Sequence, residues 1–243
     1  MAYYSSKLFA QQQDGLKKDL ISCFEFNETE GMFAVDATGL NSGVYRGAYT
    51  LNQNGIIGKS LLSTESYILY STNNRKFTPE LAPKSWNCWI RFNTLPSSLQ
   101  FILALKNMLK SAYQWHFYGG YIEFWLCDGI TNTVNRMECR YPQSSLAMST
   151  SVWYMFTVTY AGGLSNSDLK MYFNGNLLTT TNSTVGTYSG CAYDSSLLFS
   201  DGLASPYGLL AFRDQLSIFD KELSLSEINR LYNNGNGLAY SNW

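Results

Sequence analysis

The chain has 243 residues, enough for two small domains, yet all-β sandwiches of this length commonly fold as one unit. Its residues are 14% charged and 16% aromatic with a formal net charge of -1, which excludes a disordered chain and removes the basic footprint that nucleic acid binding requires. Five cysteines, an odd number without a CxxC pair, encode neither a full disulfide framework nor a zinc site.

From Met1 to Leu20 there is no apolar run that could serve as a signal-peptide core or a membrane span. The expectation is a protein made in the cytoplasm and not inserted in a membrane. Residues 1–18 lack a hydrophobic period and read as an N-terminal arm, with one domain over 19–243. Period-two alternation then dominates and predicts strands. Trp86, Cys88, Ile90 and Phe92 alternate with Asn87 and Arg91. Tyr154, Phe156, Val158 and Tyr160 alternate with Thr157 and Thr159. Both segments predict half-buried strands.

Gly119-Gly120 separates Tyr113–Tyr118 from Tyr121–Leu126 and predicts a tight hairpin. Cys127 and Cys139 flank the next turn, so reduced core cysteines are expected, with a bond between those two as the alternative. Asn174-Gly175 readily takes the positive φ angles of a type I′ turn and predicts a second hairpin. Ser224-Leu225-Ser226-Glu227 is a capping box. It is followed by Ile228, Leu231 and Tyr232 at helical spacing and closed by Gly235, which predicts one short C-terminal helix.

Several segments, in order, resemble the concanavalin A-like lectin/glucanase superfamily and its laminin-G-like branch. Leu20–Glu28 is similar to the family's opening strand, and Val35–Gly43 to the turn that follows it. Gly55 to Leu62 and an extended Tyr67–Tyr70 come next, then the central strand Ser85–Phe92. Trp153–Tyr160 and the Tyr172-Phe173-Asn174-Gly175 hairpin follow, and Asp214–Ser224 resembles the family's last strand before its terminal helix. The resemblance implies a jelly-roll β-sandwich of two antiparallel sheets. It is weaker for function, because lectins, adhesion domains, virion proteins and glucanases share this fold.

The resemblance also implies a structural calcium ion held by Asn27, Asp36, Asn41 and Asp214, since a hard cation takes carboxylate and amide oxygens. The family usually has Asp where this chain has Asn27, a change that removes a charge. The alternative is that Asp36 caps a turn and Asp214 accepts backbone hydrogen bonds. Retaining glucanases of the superfamily carry a Glu-x-Asp-x-x-Glu strand, and this chain has none; Glu123 stands alone. The one histidine, His116, has no Ser or Cys in a nucleophile motif to activate.

A two-residue turn at Gly119-Gly120 would set Tyr118 opposite Tyr121, His116 opposite Glu123 and Gln114 opposite Trp125. These six share one face, a mixture of rings and polar groups that suits sugar recognition. An ordinary exposed face, or one covered by a loop or a neighbouring subunit, is the alternative. The expectation is therefore a non-enzymatic domain. The resemblance points to a phage or viral virion protein that decorates a capsid or forms a fibre, with other subunits, a homo-oligomer or a glycan as partner. A carbohydrate-binding module recognising cell-surface glycans is the second expectation, and a glycan-cleaving enzyme the third.

Overall fold

The computed structural model describes residues 15–63, 67–69, 77–106, 110–130, 134–191, 197–198 and 207–243. In chain order the strands are β1 (Leu20–Phe24), β2 (Phe33–Ala34), β3 (Gly43–Arg46), β4 (Tyr49–Asn54), β5 (Lys59–Ser63), β6 (Tyr67–Leu69), β7 (Lys84–Phe92), β8 (Gln100–Lys106) and β9 (Ser111–Tyr118). They continue as β10 (Tyr121–Cys127), β11 (Arg136–Pro142), β12 (Trp153–Tyr160), β13 (Leu169–Phe173), β14 (Asn176–Leu177), β15 (Thr181–Val185), β16 (Leu197–Leu198) and β17 (Ala211–Phe219), before the helix α1 (Leu225–Tyr232).

Two antiparallel sheets result. The eight-stranded sheet runs β14-β13-β12-β7-β17-β5-β4, with β1 also on β17, and the nine-stranded sheet runs β15-β11-β10-β9-β8-β16-β6-β3-β2. This is the all-β jelly-roll sandwich that alternation and the resemblance predict. Between the sheets Trp86, Ile90, Phe92, Phe156 and Val158 of one layer meet Tyr113, Trp115, Phe117, Phe124 and Leu126 of the other. The Trp86 ring lies 5.0 Å from that of Tyr113 and 4.6 Å from that of Phe124. Aromatic contacts of this kind add to the free energy of burying large apolar surfaces.

The strands β7 and β12 are not half-buried, as alternation suggests, but buried on both faces. A second apolar cluster lies outside the eight-stranded sheet, where Trp89, Met155, Tyr172 and Phe219 receive Ile228 and Leu231 of α1, with Trp243 and Leu16. Asn87 and Thr157, the polar positions of the pattern, satisfy one another there through a 2.7 Å hydrogen bond. Leu16 is fully buried in this cluster, so the domain begins before residue 19. The rest of the expected arm, residues 1–14, and Tyr70 lie outside the described residues.

At the Asn174-Gly175 turn both residues have positive φ, 49° and 80°, as a type I′ turn requires. Cys127 and Cys139 cannot bond across β10 and β11, because Cys139 stands opposite core-facing Phe124 while Cys127 has the parity of the outer face. All five cysteines are free and buried. The α1 helix starts as the capping box predicts: the Glu227 amide donates to Ser224 Oγ, and the Ser224 amide donates to Glu227 Oε2. It ends at Tyr232, three residues before Gly235, because Asn233 itself takes the left-handed conformation at φ 47°.

Ser224→Ala removes the cap that starts the helix covering Trp89. It is expected to lower unfolding free energy by about 1 kcal/mol, read as a lower urea midpoint at an unchanged slope.

Candidate functional site

Gly119 and Gly120 take φ of 58° and 84°, and the two-residue turn they make fixes the register of β9 on β10. Tyr118 pairs with Tyr121, His116 with Glu123, and Gln114 with Trp125. Tyr113, Trp115, Phe117, Ile122, Phe124 and Leu126 all point into the core. The six candidate residues therefore share the outer face of the nine-stranded sheet.

They are not equally accessible. His116 is fully buried; its Nε2 lies 3.3 Å from Glu123 Oε2, and its ring is 5.4 Å from that of Phe101 and 4.6 Å, edge-on, from that of Trp125. Gln114 is buried and donates to Ser111 Oγ at 3.2 Å. Glu123 is buried as well, so these three support the face from within. A β-bulge in β8 sets Phe101 outward against His116 while Ile102 and Leu103 stay in the core. Tyr118 remains 54% exposed, and Tyr121 and Trp125 are half-buried.

The adjoining strand β11 contributes residues that motif reasoning missed. Arg136, Glu138 and Arg140 share the face, with Glu138 opposite Trp125 and Arg140 opposite Glu123. The Arg136 guanidinium sits 4.2 Å from the Trp125 ring centroid and that of Arg140 sits 4.9 Å from the Tyr121 centroid. Arg136 is also paired with Glu138 at 2.8 Å, and Ser183 of β15 donates to the other Glu138 oxygen at 2.6 Å. Alternation of these charges with Met137 and Cys139 was the sequence signal for them. Beside the hairpin, Leu95, Pro96, Gly120, Gln143, Leu146 and Met148 line an open cleft of about 410 Å³.

Glu123 and Glu138 are diagonal neighbours on this face, the nearest approach to a carboxylate pair there. Each is committed to a structural partner, Glu123 to His116 and Glu138 to Arg136 and Ser183. What the face offers chemically is aromatic surface, guanidinium donors and hydroxyls, which are groups for recognition.

The four calcium candidates are anchored separately. The Asp36 carboxylate accepts from the amides of Cys23 at 2.8 Å, Thr38 at 3.1 Å and Asn41 at 2.9 Å, and from the Thr38 hydroxyl. The Asn41 amide donates to Ile21 O at 2.8 Å, and Asn27 Oδ1 accepts from the Lys59 amide at 2.8 Å. A carboxylate whose lone pairs already accept three N–H groups and one O–H has none left to offer a cation, so Asp36 fits the turn-capping alternative. As a set the four do not fit a shared calcium ion. Among the described residues no three His, Cys, Asp or Glu side chains gather as a metal site would need.

No protein-family model and no curated protein matches the chain. Solved structures do. A receptor-binding domain superposes with a TM-score of 0.69 at 19% identity over 91% of this chain and 52% of its own. The receptor-binding domain of botulinum neurotoxin mosaic serotype C/D, with a tetraethylene glycol molecule on its Hcn sub-domain, gives 0.67 at 20% identity over 90% and 52%. The binding domain of botulinum neurotoxin DC in complex with rat synaptotagmin II gives 0.67 at 18% identity over 90% and 52%. The chain thus spans about half the length of the structures it matches. At such identities the likeness shows the fold alone.

Asp214 differs from the other three calcium candidates. It sits at the bulge where β17 exchanges partners, accepts from the Ile57 amide at 3.0 Å, and has no donor to Oδ1 among the described residues. Burial pushes its carboxyl up to about 8, against the opposing effect of backbone donors from the 56–57 turn. The folded state therefore holds the proton more tightly than the unfolded chain, so the contribution of Asp214 to stability is full below about pH 4 and is lost as the pH rises toward 8. Asp214→Asn, melted in a chelating buffer across this range, should lack that fall, and its advantage over the parent should grow with pH.

Proposed function

We propose that this chain is a non-catalytic binding domain that recognises a cell-surface glycan on the outer face of its nine-stranded sheet, at Tyr118, Tyr121 and Trp125. One observation carries the reading: Tyr118, 54% exposed, lies directly across a two-residue turn from Tyr121, so two tyrosines project from one face of the strand pair. Rings so placed can stack on the apolar face of a sugar while their hydroxyls bind its edges. His116 and Glu123 beneath them hold the platform by a contact buried from water. The rigidity lowers the cost of ordering side chains on binding.

The compared structures are receptor-binding domains, one crystallised with a protein receptor, which supports ligand binding over the virion role that the family resemblance first suggested. Among the described residues no helix is long and apolar enough to cross a membrane. The site needs neither a metal nor a reacting carboxylate.

Tyr118→Ala is expected to weaken glycan binding about tenfold or more, and to shift unfolding free energy by no more than about 0.5 kcal/mol because the ring is largely in solvent. A glycan array followed by calorimetric titration of parent and variant reads both. Capture of a protein receptor with no glycan bound would reject the reading.

A further inference from the structure

The same face carries a cation that the fold leaves unmatched. Arg140 stands opposite Glu123 on the sheet, yet the Glu123 carboxylate turns to His116 at 3.3 Å instead. Arg136, four residues away on the same face, is by contrast held by Glu138 at 2.8 Å. Among the described residues Arg140 has no carboxylate within ion-pair distance and no hydrogen-bond acceptor; its one contact of that kind is the Tyr121 ring, 4.9 Å from the guanidinium carbon. Stacking restricts the guanidinium without consuming its N–H donors. Around it stand Tyr121, the exposed Tyr118 across the turn, and the exposed Thr181, the partner of Arg140 on β15.

A half-buried arginine whose guanidinium has no acceptor among the described residues discriminates between ligands. A neutral sugar laid over it must strip water from N–H groups that it satisfies poorly, which costs free energy. A carboxylate or sulfate on the sugar presents paired oxygens that match the planar fork and regain those hydrogen bonds with charge assistance. The net charge of -1 gives the chain no general attraction for anions, so the preference is local to Arg140. We infer, resting on the glycan-binding role proposed above, that the ligand of this face is an acidic sugar. Its anionic group docks on Arg140, its ring lies against Tyr118 and Tyr121, and a hydroxyl reaches Thr181.

The test titrates the full chain calorimetrically with a glucuronate-bearing, a sialate-bearing and a sulfated oligosaccharide, each against its neutral counterpart. At least one acidic probe should bind about tenfold or more tightly than its neutral partner, a ratio that falls as sodium chloride is added. The pair that shows the ratio identifies carboxylate or sulfate. In Arg140→Gln the ratio should drop toward unity, and Arg140→Lys, which keeps charge and loses the fork, should restore only part of it. Should the glutamine variant fail to fold, the salt dependence of the parent and the lysine variant still decide. Equal affinity for acidic and neutral probes in the parent, or a ratio untouched by either variant, overturns the inference and leaves the glycan reading in place. No binding of any probe, acidic or neutral, defeats the glycan reading and the inference together.

Discussion

The register of β9 on β10, set by two glycines at positive φ, is the constraint on which the candidate face depends. Side chains on a strand alternate with a period of two, so a slip of one residue would carry Trp115 and Phe124 to solvent and Tyr118 and Tyr121 to the core. Nothing lies within 4 Å of the position a Cβ would occupy at either glycine, so backbone conformation and not crowding demands them. The interlayer contacts of Trp86 with Tyr113 and Phe124 hold that register from below.

Local signals were legible wherever one or two residues decide the backbone. The Asn-Gly and Gly-Gly turns, the capping box and the strands β7, β9, β10 and β12 all stand where the sequence predicts them. Long-range coverage was not legible. Asn87 and Thr157 look like solvent positions, and only the return of α1 with Trp243 over the eight-stranded sheet makes that surface an interior. The same limit applies to His116, whose contact with Phe101 comes from a bulged neighbouring strand that no residue pattern announces.

The face is thus a layered object. Phe101, His116 and Glu123 form a closed base, Trp125 and Tyr121 lie half in and half out with guanidinium groups above them, and Tyr118 projects. Sequence reasoning found His116, Glu123, Tyr121, Trp125 and Tyr118 together but not Phe101, and could not rank their depth, because alternation reports a side and not a depth. It missed the guanidinium groups because Arg136, Glu138 and Arg140 read as an ordinary charged strand. Which of these arginines is neutralised depends on which carboxylate bends toward it, a matter of rotamers.

The terminal cluster has a practical corollary. Leu16 and Trp243 are both buried against the eight-stranded sheet, on the side of the sandwich away from Tyr118. A tag, a dye or a tether added at the carboxyl end would leave the molecule from its rear, and a sensor surface holding the protein that way would present the Tyr118 face outward, free of the support.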